Sequence, residues 1–385
     1  MAGKRTDKKG RVLKIGESQR ADGTYQYRYT DCVGKVRYVY APSLDKLRKK
    51  EDTIQKDLRD GIDYAAGEVT VAELVERYTG CKRELSKNSQ RAYNTALRYI
   101  KGSAFGQKKI RDIKRSDAKR FYVKLHDEGK KRNTIVVYQN LLRPAFEMAV
   151  EDDMIRKNPF GFKLADVLPD DAEKRAALTK EQQAVYLQSE REFRSGAFYN
   201  EIEILMNTGL RVSELYGLTL DDVDFGRRCV RVTKQLCRTA TNPYFITGPK
   251  TNAGIRTIPL NDIALLALRR AIKERQTPKE ELVVDGYSNF LFLDKDGRPK
   301  VAMHLQGHMR SLQQWIVKNR DADFPKVSPH VLRHTYCTNM QRAGLDVKSL
   351  QYILGHSDAS VTLNVYSHTD FASAQQALDR LAVNL

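Results

Sequence analysis

Two hydrophobic periods divide the chain, and the point where one gives way to the other limits the folds it can adopt. Tyr25, Tyr27 and Tyr29 alternate with Gln26, Arg28 and Thr30, a repeat of two that puts three rings on one face of a strand. Residues 11–18 and 35–42 read as strands on either side, joined at Asp22-Gly23 and at Gly34. The segment 43–61 then reads as a helix, capped by Ser43 and stopped by Gly61. One face of this small sheet must pack on that helix, which leaves the other exposed. From residue 70 the period becomes helical. Thr70 and Glu73 form a capping box ahead of VAELVERY, and further helices are expected near 88–101, 117–128 and 133–152, the last kinked at Pro144. IRKNPF at 155–160 ends the pattern. The acidic stretch DVLPDDAEK that follows has proline, clustered acids and little to bury, so residues 164–177 read as a linker.

The fold class is therefore multidomain α+β. A three-stranded sheet with a helix comes first, then a helical bundle, then a mainly helical domain with a small sheet. The net charge of +19 is unevenly spread. Residues 1–64 hold 16 Lys and Arg against 10 Asp and Glu, residues 70–163 hold 22 against 11, and residues 164–385 hold 29 against 26. Polyanion binding is thus expected mainly in the first two blocks, with an affinity that falls as salt rises. No run of residues approaches a membrane span, and MAGKRTDKKGR lacks the apolar stretch of a secretory signal, so a cytoplasmic protein is expected. Cys32, Cys81, Cys229, Cys237 and Cys337 are scattered and odd in number, as free thiols in a reducing compartment would be.

The C-terminal half carries the residues suited to chemistry. In HVLRHTYCTNMQRAGLDVKSLQYILGHSDASVTLNVYSH, residues 330–368, Leu332, Tyr336, Met340 and Ala343 recur at helical spacing, whereas His330, Arg333 and His334 fall on the other side. Gly344 ends this helix. Asp346 caps a second one, whose Val347, Leu350, Ile353 and Leu354 point inward and which stops at Gly355, directly before His356. His330, Arg333 and His356 are thus expected at element ends or on exposed faces. Upstream, Gly209 breaks a helix and Arg211 opens the next, beside Ser213 and Glu214. A cation at a helix start opposes the macrodipole and points to an anion there; surface pairing with Glu214 is the plainer alternative. Val230 with Val232, Tyr244 with Ile246, and Ile255 with Ile258 read as short strands, which puts Lys250 at a hairpin tip.

Taken in order, TGLRVSEL, GPKTNAGIRTIPL, HVLRH, LGH and YSH resemble the motifs of tyrosine recombinases, the phage integrase family of DNA breaking and rejoining enzymes. The resemblance puts Arg211 on the family's first arginine, Lys250 on its hairpin lysine, His330 and Arg333 on the HxxR pair, His356 on the LGH histidine and Tyr366 on the nucleophile. One departure shows: ten positions separate His356 from Tyr366, where many relatives have nine. Tyr366 remains the better choice, because Ser367-His368 follows it in the family manner while Tyr352 lies inside the preceding helix. The set suits phosphodiester cleavage, in which negative charge gathers on the non-bridging oxygens and fixed cations must meet it. Guanidinium presents paired donors to phosphate and stays charged at any working pH. Two arginines beside the histidines repel a dication, and no carboxylate is spaced among them as in HExxH, so no metal is expected; the resemblance implies a covalent phosphotyrosine that stores the bond energy, so no cofactor is expected either.

The resemblance also implies a 3′-phosphotyrosyl intermediate, a freed 5′ hydroxyl with Lys250 as the acid for that oxygen, and strand exchange through a Holliday junction. It implies that residues 1–64 form an arm-type DNA-binding domain like that of conjugative-transposon integrases, 70–163 a SAM-like core-binding domain and 178–385 the catalytic domain. Candidate DNA contacts in the basic blocks are Arg28, Lys35, Arg37, Lys87, Arg91, Lys131 and Arg132. The implied partners are double-stranded DNA at crossover and distal arm sites and further copies of the chain in a tetramer, with an excisionase and a host DNA-bending protein as accessory factors. Phe371, Ala374, Leu378 and Leu381 form an apolar stripe that docks on its own domain or on a neighbouring protomer. The expected function is site-specific integration and excision of a mobile element. A chromosome-dimer recombinase has no need of an arm-binding sheet, a relaxing topoisomerase has no fixed site, and a regulator that has lost cleavage should lack at least one of the six groups.

Overall fold

The computed structural model describes residues 5–31, 34–61, 68–83, 85, 87–171, 176–239, 242, 244–249, 252–358 and 363; the side chains of Lys87, Asn88 and Asn252 fall outside the description. The chain forms two compact units, Met1–Glu173 and Lys174–Leu385. No helix among the described residues is long and apolar enough to cross a membrane.

The first unit opens with an antiparallel sheet in the order β1 (Glu17–Gln19), β2 (Tyr25–Thr30), β3 (Val36–Ala41). Tyr25, Tyr27 and Tyr29 bury one face against Leu44, Leu47 and Ile54 of α1 (Leu44–Arg59), whose first turn is capped by the Ser43 hydroxyl. One face packs on the helix as expected, and it is the tyrosine face. The first strand, however, is shorter and later than residues 11–18. Gly16 interrupts it at φ +89°, where a Cβ would come within 2.7 Å of the Arg28 carbonyl, so the chain turns sharply before pairing begins.

Four helices follow: α2 (Val71–Gly80), α3 (Lys87–Gly102), α4 (Arg115–Asp127) and α5 (Arg132–Glu151). The Thr70–Glu73 capping box forms in both directions at the start of α2, and α5 continues on both sides of Pro144. Leu74, Ile100, Tyr122, Leu142 and Phe146 are fully buried between these helices, together with Phe160 from the segment that ends the pattern. Part of the expected linker belongs to this core as well. Leu164 and Leu168 flank a short turn and are both buried in it, and Asp171 accepts from the Arg132 N–H at the start of α5. The acids of this stretch masked two leucines, four apart, with a place to go.

The second unit holds α6 (Lys180–Glu192), α7 (Tyr199–Thr208) and α8 (Val212–Gly217), then β4 (Val223–Asp224), β5 (Cys229–Val232), β6 (Gln235–Cys237), β7 (Phe245–Thr247) and β8 (Arg256–Pro259). Then come α9 (Asp262–Glu274), α10 (Ala302–Asn319), α11 (Pro329–Arg342) and α12 (Val347–Leu354). The strands make two small antiparallel groups, β4-β5-β8 and β6-β7. Lys250, expected at a hairpin tip, lies outside the described residues between β7 and β8. Helices α7 and α11 run through the middle, α7 buried along nearly its whole surface.

Candidate active site

Two helices stop against each other at the centre of the second unit. α7 ends at Gly209, in the left-handed region at φ +64°, where a Cβ would meet the Tyr336 ring at 2.5 Å and Leu354 at 2.9 Å. α12 ends at Gly355, also left-handed at φ +62°. The last carbonyls of a helix have no partner within it, and they carry the negative end of its dipole. Here three successive carbonyls are met by three arginines from three different segments. Arg256 Nε donates to Ile353 O at 2.6 Å, Arg333 Nη2 to Leu354 O at 2.5 Å, and Arg211 Nη2 to Gly355 O at 3.2 Å. Arg333 Nη1 also donates to Gly209 O at 2.7 Å, which ties the two helix ends together.

One buried carboxylate serves this cluster. Glu214, in the first turn of α8, accepts from the Arg211 N–H at 2.9 Å and from Arg211 Nη1 at 2.7 Å. Arg256 meets the same carboxylate with Nη1 at 3.2 Å and Nη2 at 2.8 Å. Burial works against the charged form of Glu214, but the Arg256 hydrogen bonds and the nearby guanidiniums hold its pKa below the ordinary carboxylate value, so it is ionised. Two guanidiniums thus pair with one carboxylate, and a third, that of Arg333, feels its charge without bonding to it. The excess shows in the neighbours: burial, and then the Arg211 charge, pull Arg333 down to about 9. Burial followed by Arg333 and Arg211 pulls His356 down to about 4, so its imidazole is neutral near pH 7. Arg211, whose side chain is 32% exposed, is the most accessible of the three, and His330 is exposed on the first turn of α11. Such an arrangement holds an anion, and a phosphate diester is the kind of anion that paired guanidinium donors fit.

The sequence-based expectations meet this geometry unevenly. Arg211 does pair with Glu214, as the plainer alternative held, yet the pair is built into an excess of positive charge. Arg333 is not on an exposed face: it is 7% exposed, because α11 is buried on more than its apolar stripe, with Val331, Thr335 and Cys337 buried beside Leu332 and Tyr336. Lys250 and Tyr366 lie outside the described residues, as do Phe371, Ala374, Leu378 and Leu381 and the residue Cys32. The other four cysteines are free thiols. Among the described residues no group of three or more His, Cys, Asp and Glu is placed to hold a metal ion.

The candidate DNA contacts of the first unit do not share one surface. Arg28 is exposed on the outer face of the sheet, opposite Tyr38, and Lys35 is exposed at its edge. Arg37 pairs across from buried Tyr29, and its Nε donates to Asp31 at 2.9 Å, so it belongs to the inner face. In the bundle Arg91 is exposed on α3, and Lys131 is exposed where α5 starts. Arg132 is half-buried beside Asp170 and Asp171. The side chain of Lys87 lies outside the described residues.

Arg256 and the double role of Glu214 were not read from the sequence. A signal was available: Arg256 and Ile258 occupy the same, inward face of a strand, and a lone arginine on a buried face needs a partner of opposite charge.

Comparison with known proteins gives three family matches in chain order: the DNA binding domain of tn916 integrase at residues 1–58, the phage integrase SAM-like domain at 71–165, and the phage integrase family at 172–373. The chain is 38% identical to the transposase from transposon Tn916 of Enterococcus faecalis, over 99% of this chain and 97% of that protein. It is equally similar to the transposase from transposon Tn1545 of Streptococcus pneumoniae, with the same coverage. Among solved structures, the Tn1549 transposon integrase in complex with a circular intermediate DNA superimposes with a TM-score of 0.76 at 38% identity, covering 81% of this chain and 99% of that one.

Proposed function

The chain belongs to the phage integrase family and is a tyrosine-type site-specific DNA recombinase of the conjugative-transposon kind, and on that premise we propose that Arg211 and Arg333 clamp the scissile phosphate while Tyr366 attacks it. The single observation that carries this reading is the gathering of three guanidiniums, two of them paired with Glu214, at the carbonyls that lead into His356. Its product is integration and excision of a mobile element. The Tyr366 hydroxyl passes its proton to the His330 imidazole as its oxygen bonds to phosphorus, the bond to the 5′ oxygen breaks, and Lys250 gives that oxygen a proton. Fixed guanidiniums stabilise the charge that gathers between these events. His356, neutral near pH 7, serves as a hydrogen-bond donor to a non-bridging oxygen, and His330 joins it from α11.

The remaining assignments follow the same reading. Residues 1–64 hold a distal arm site through the outer face of the sheet, residues 70–163 and 178–385 hold the crossover site, and the protein acts in the cytoplasm. Two linked contacts, each weak, become one strong one by raised local concentration. Cleavage takes place in a tetramer on two duplexes, with the stripe from Phe371 to Leu381 packed on a neighbour. A cleavage rate that climbs more steeply than linearly with protein concentration, and loses that steepness when the chain ends after Asp370, supports the tetramer; identical curves for both chains speak against it.

The test of the function is incubation with DNA from the ends of the mobile element, followed by a denaturing gel for a protein-linked strand. Tyr366→Phe should abolish the linked strand and leave DNA binding intact. A Phe variant that still traps DNA, with Tyr352→Phe unable to, would move the nucleophile to Tyr352.

A further inference from the structure

The geometry points to Arg256 as a positioning residue for strand cleavage, one that aims the Arg211 guanidinium through Glu214 and fixes the backbone leading into His356. This rests on the reading of Arg211 as a phosphate clamp. Arg256 itself cannot touch DNA, because its side chain is fully buried, as is that of Glu214. It acts instead on three segments at once. Its Nη1 and Nη2 take one oxygen each of Glu214, in the planar two-point match that guanidinium makes with carboxylate. That grip fixes the carboxylate plane and leaves its remaining lone pairs to the Arg211 N–H and Nη1. Nη1 also donates to Gly254 O at 3.1 Å, in the short turn that follows the Lys250 segment. Nε donates to Ile353 O, and α12 sits so close that a Cβ on Gly355 would lie 3.0 Å from Arg256 Nη1 and 3.0 Å from Ala253 O.

Stability alone does not account for this choice of residues. The attraction within a buried ion pair seldom offsets the desolvation of both ions, and an apolar pair of similar volume often serves a core equally well. What an apolar pair lacks is direction. A lysine in place of Arg256 keeps the charge but not the fork, so it cannot hold both carboxylate oxygens and two carbonyls in one plane.

The test compares single-turnover cleavage of two duplexes, one with an ordinary scissile phosphodiester and one with a methylphosphonate there. In both, the Tyr366 oxygen bonds to phosphorus, the bond to the 5′ oxygen breaks and that oxygen takes up a proton. The methyl group removes one negative charge from the transition state, and with it most of the need for an aimed guanidinium. Arg256→Lys should slow the phosphodiester about 10²-fold, as a small misplacement of an aligned group does, and slow the methylphosphonate far less, with DNA binding unchanged. If Arg256→Lys does not fold, Arg256→Met combined with Glu214→Leu removes both buried charges of the pair and should show the same charge-dependent loss. Equal slowing on both substrates would make Arg256 a structural residue only, and a folded variant that cleaves the phosphodiester at the wild-type rate would also overturn the proposal. Arg211→Ala is the reference. If it shows no charge-dependent loss, the clamp itself is wrong; if it shows one and the Arg256 variants do not, the positioning role alone falls.

Discussion

In the N-terminal sheet three buried carboxylates each hold one arginine at the surface, whereas at the candidate site of the second unit two arginines share one buried carboxylate and a third is enclosed beside them. Asp7 pairs with Arg11 at 2.8 Å, Glu17 with Arg48 at 2.9 Å and Asp31 with Arg37 at 2.9 Å, the acids enclosed and each arginine about a third exposed. These acids also take backbone donors: Asp7 from Lys9 and Arg11, Glu17 from Lys14, Asp31 from Lys35. They pin turns, and their charge is balanced where it sits. Glu214 is paired with two arginines while Arg333 lies close by with no carboxylate bonded to it among the described residues, and the two most enclosed of the three, Arg256 and Arg333, cannot turn toward water. One-for-one pairs complete a fold. An enclosed excess of one sign is a standing demand for a counter-ion, and so marks a place where a charged substrate or transition state is received.

The contrast can be broken most severely at its carboxylates. Glu214→Gln leaves a buried cluster of cations with no counter-charge and should lower stability by about 3–5 kcal/mol, the usual loss when one partner of a buried pair is removed. Asp31→Asn keeps an acceptor for the Lys35 N–H and leaves Arg37 free to reach water, so about 1–3 kcal/mol is expected. Urea unfolding of both variants ranks them, and equal losses would mean that the excess of cations has no energetic weight. At the arginines, Arg211→Ala and Arg333→Ala should each slow single-turnover cleavage by about 10²–10³-fold, the range for removing one fixed donor at a developing charge. Arg37→Ala should leave the cleavage rate where it was. A loss below about tenfold for either catalytic variant would take that residue out of the clamp.

The smallest effect is a pH dependence. His356 titrates at about 4 in the folded chain, against an ordinary value of 6.5. Between those values the unfolded chain takes up a proton that the folded chain refuses. The stability this residue contributes is therefore complete above about pH 6.5 and declines as the pH falls toward 4. Unfolding of the wild type and of His356→Gln at pH 7 and at pH 4.5 isolates this share, with the wild type expected to lose more; parallel losses would place His356 outside the field of the arginines.

Much of this was legible in the chain itself. The tyrosine alternation separates the two faces of the sheet, the Thr70–Glu73 pair gives the start of α2, and Gly209 and Gly355 give the two helix ends that meet at the site. The misses share a cause. Arg333 reads as a surface residue in the sequence because helical spacing separates an apolar stripe from everything else, and a helix buried on several sides has no such division. Leu164 and Leu168 were hidden by the acids around them. Arg256 escaped because its partner lies 42 positions away, and no local pattern connects the two. The order of the motifs carried the family, while the charge balance that makes those motifs work is a property of the folded site.

The most direct test is to ask what supplies positive charge at the cut. End-fragment DNA is incubated with the full chain in excess EDTA, the covalent complex is trapped on a suicide substrate, and the peptide that holds the strand is identified by mass spectrometry. The expected result is an undiminished yield linked through Tyr366, since the guanidiniums of Arg211 and Arg333 are in place without any ion being added. Cleavage that depends strictly on added divalent metal, or a strand linked elsewhere in the chain, would contradict it.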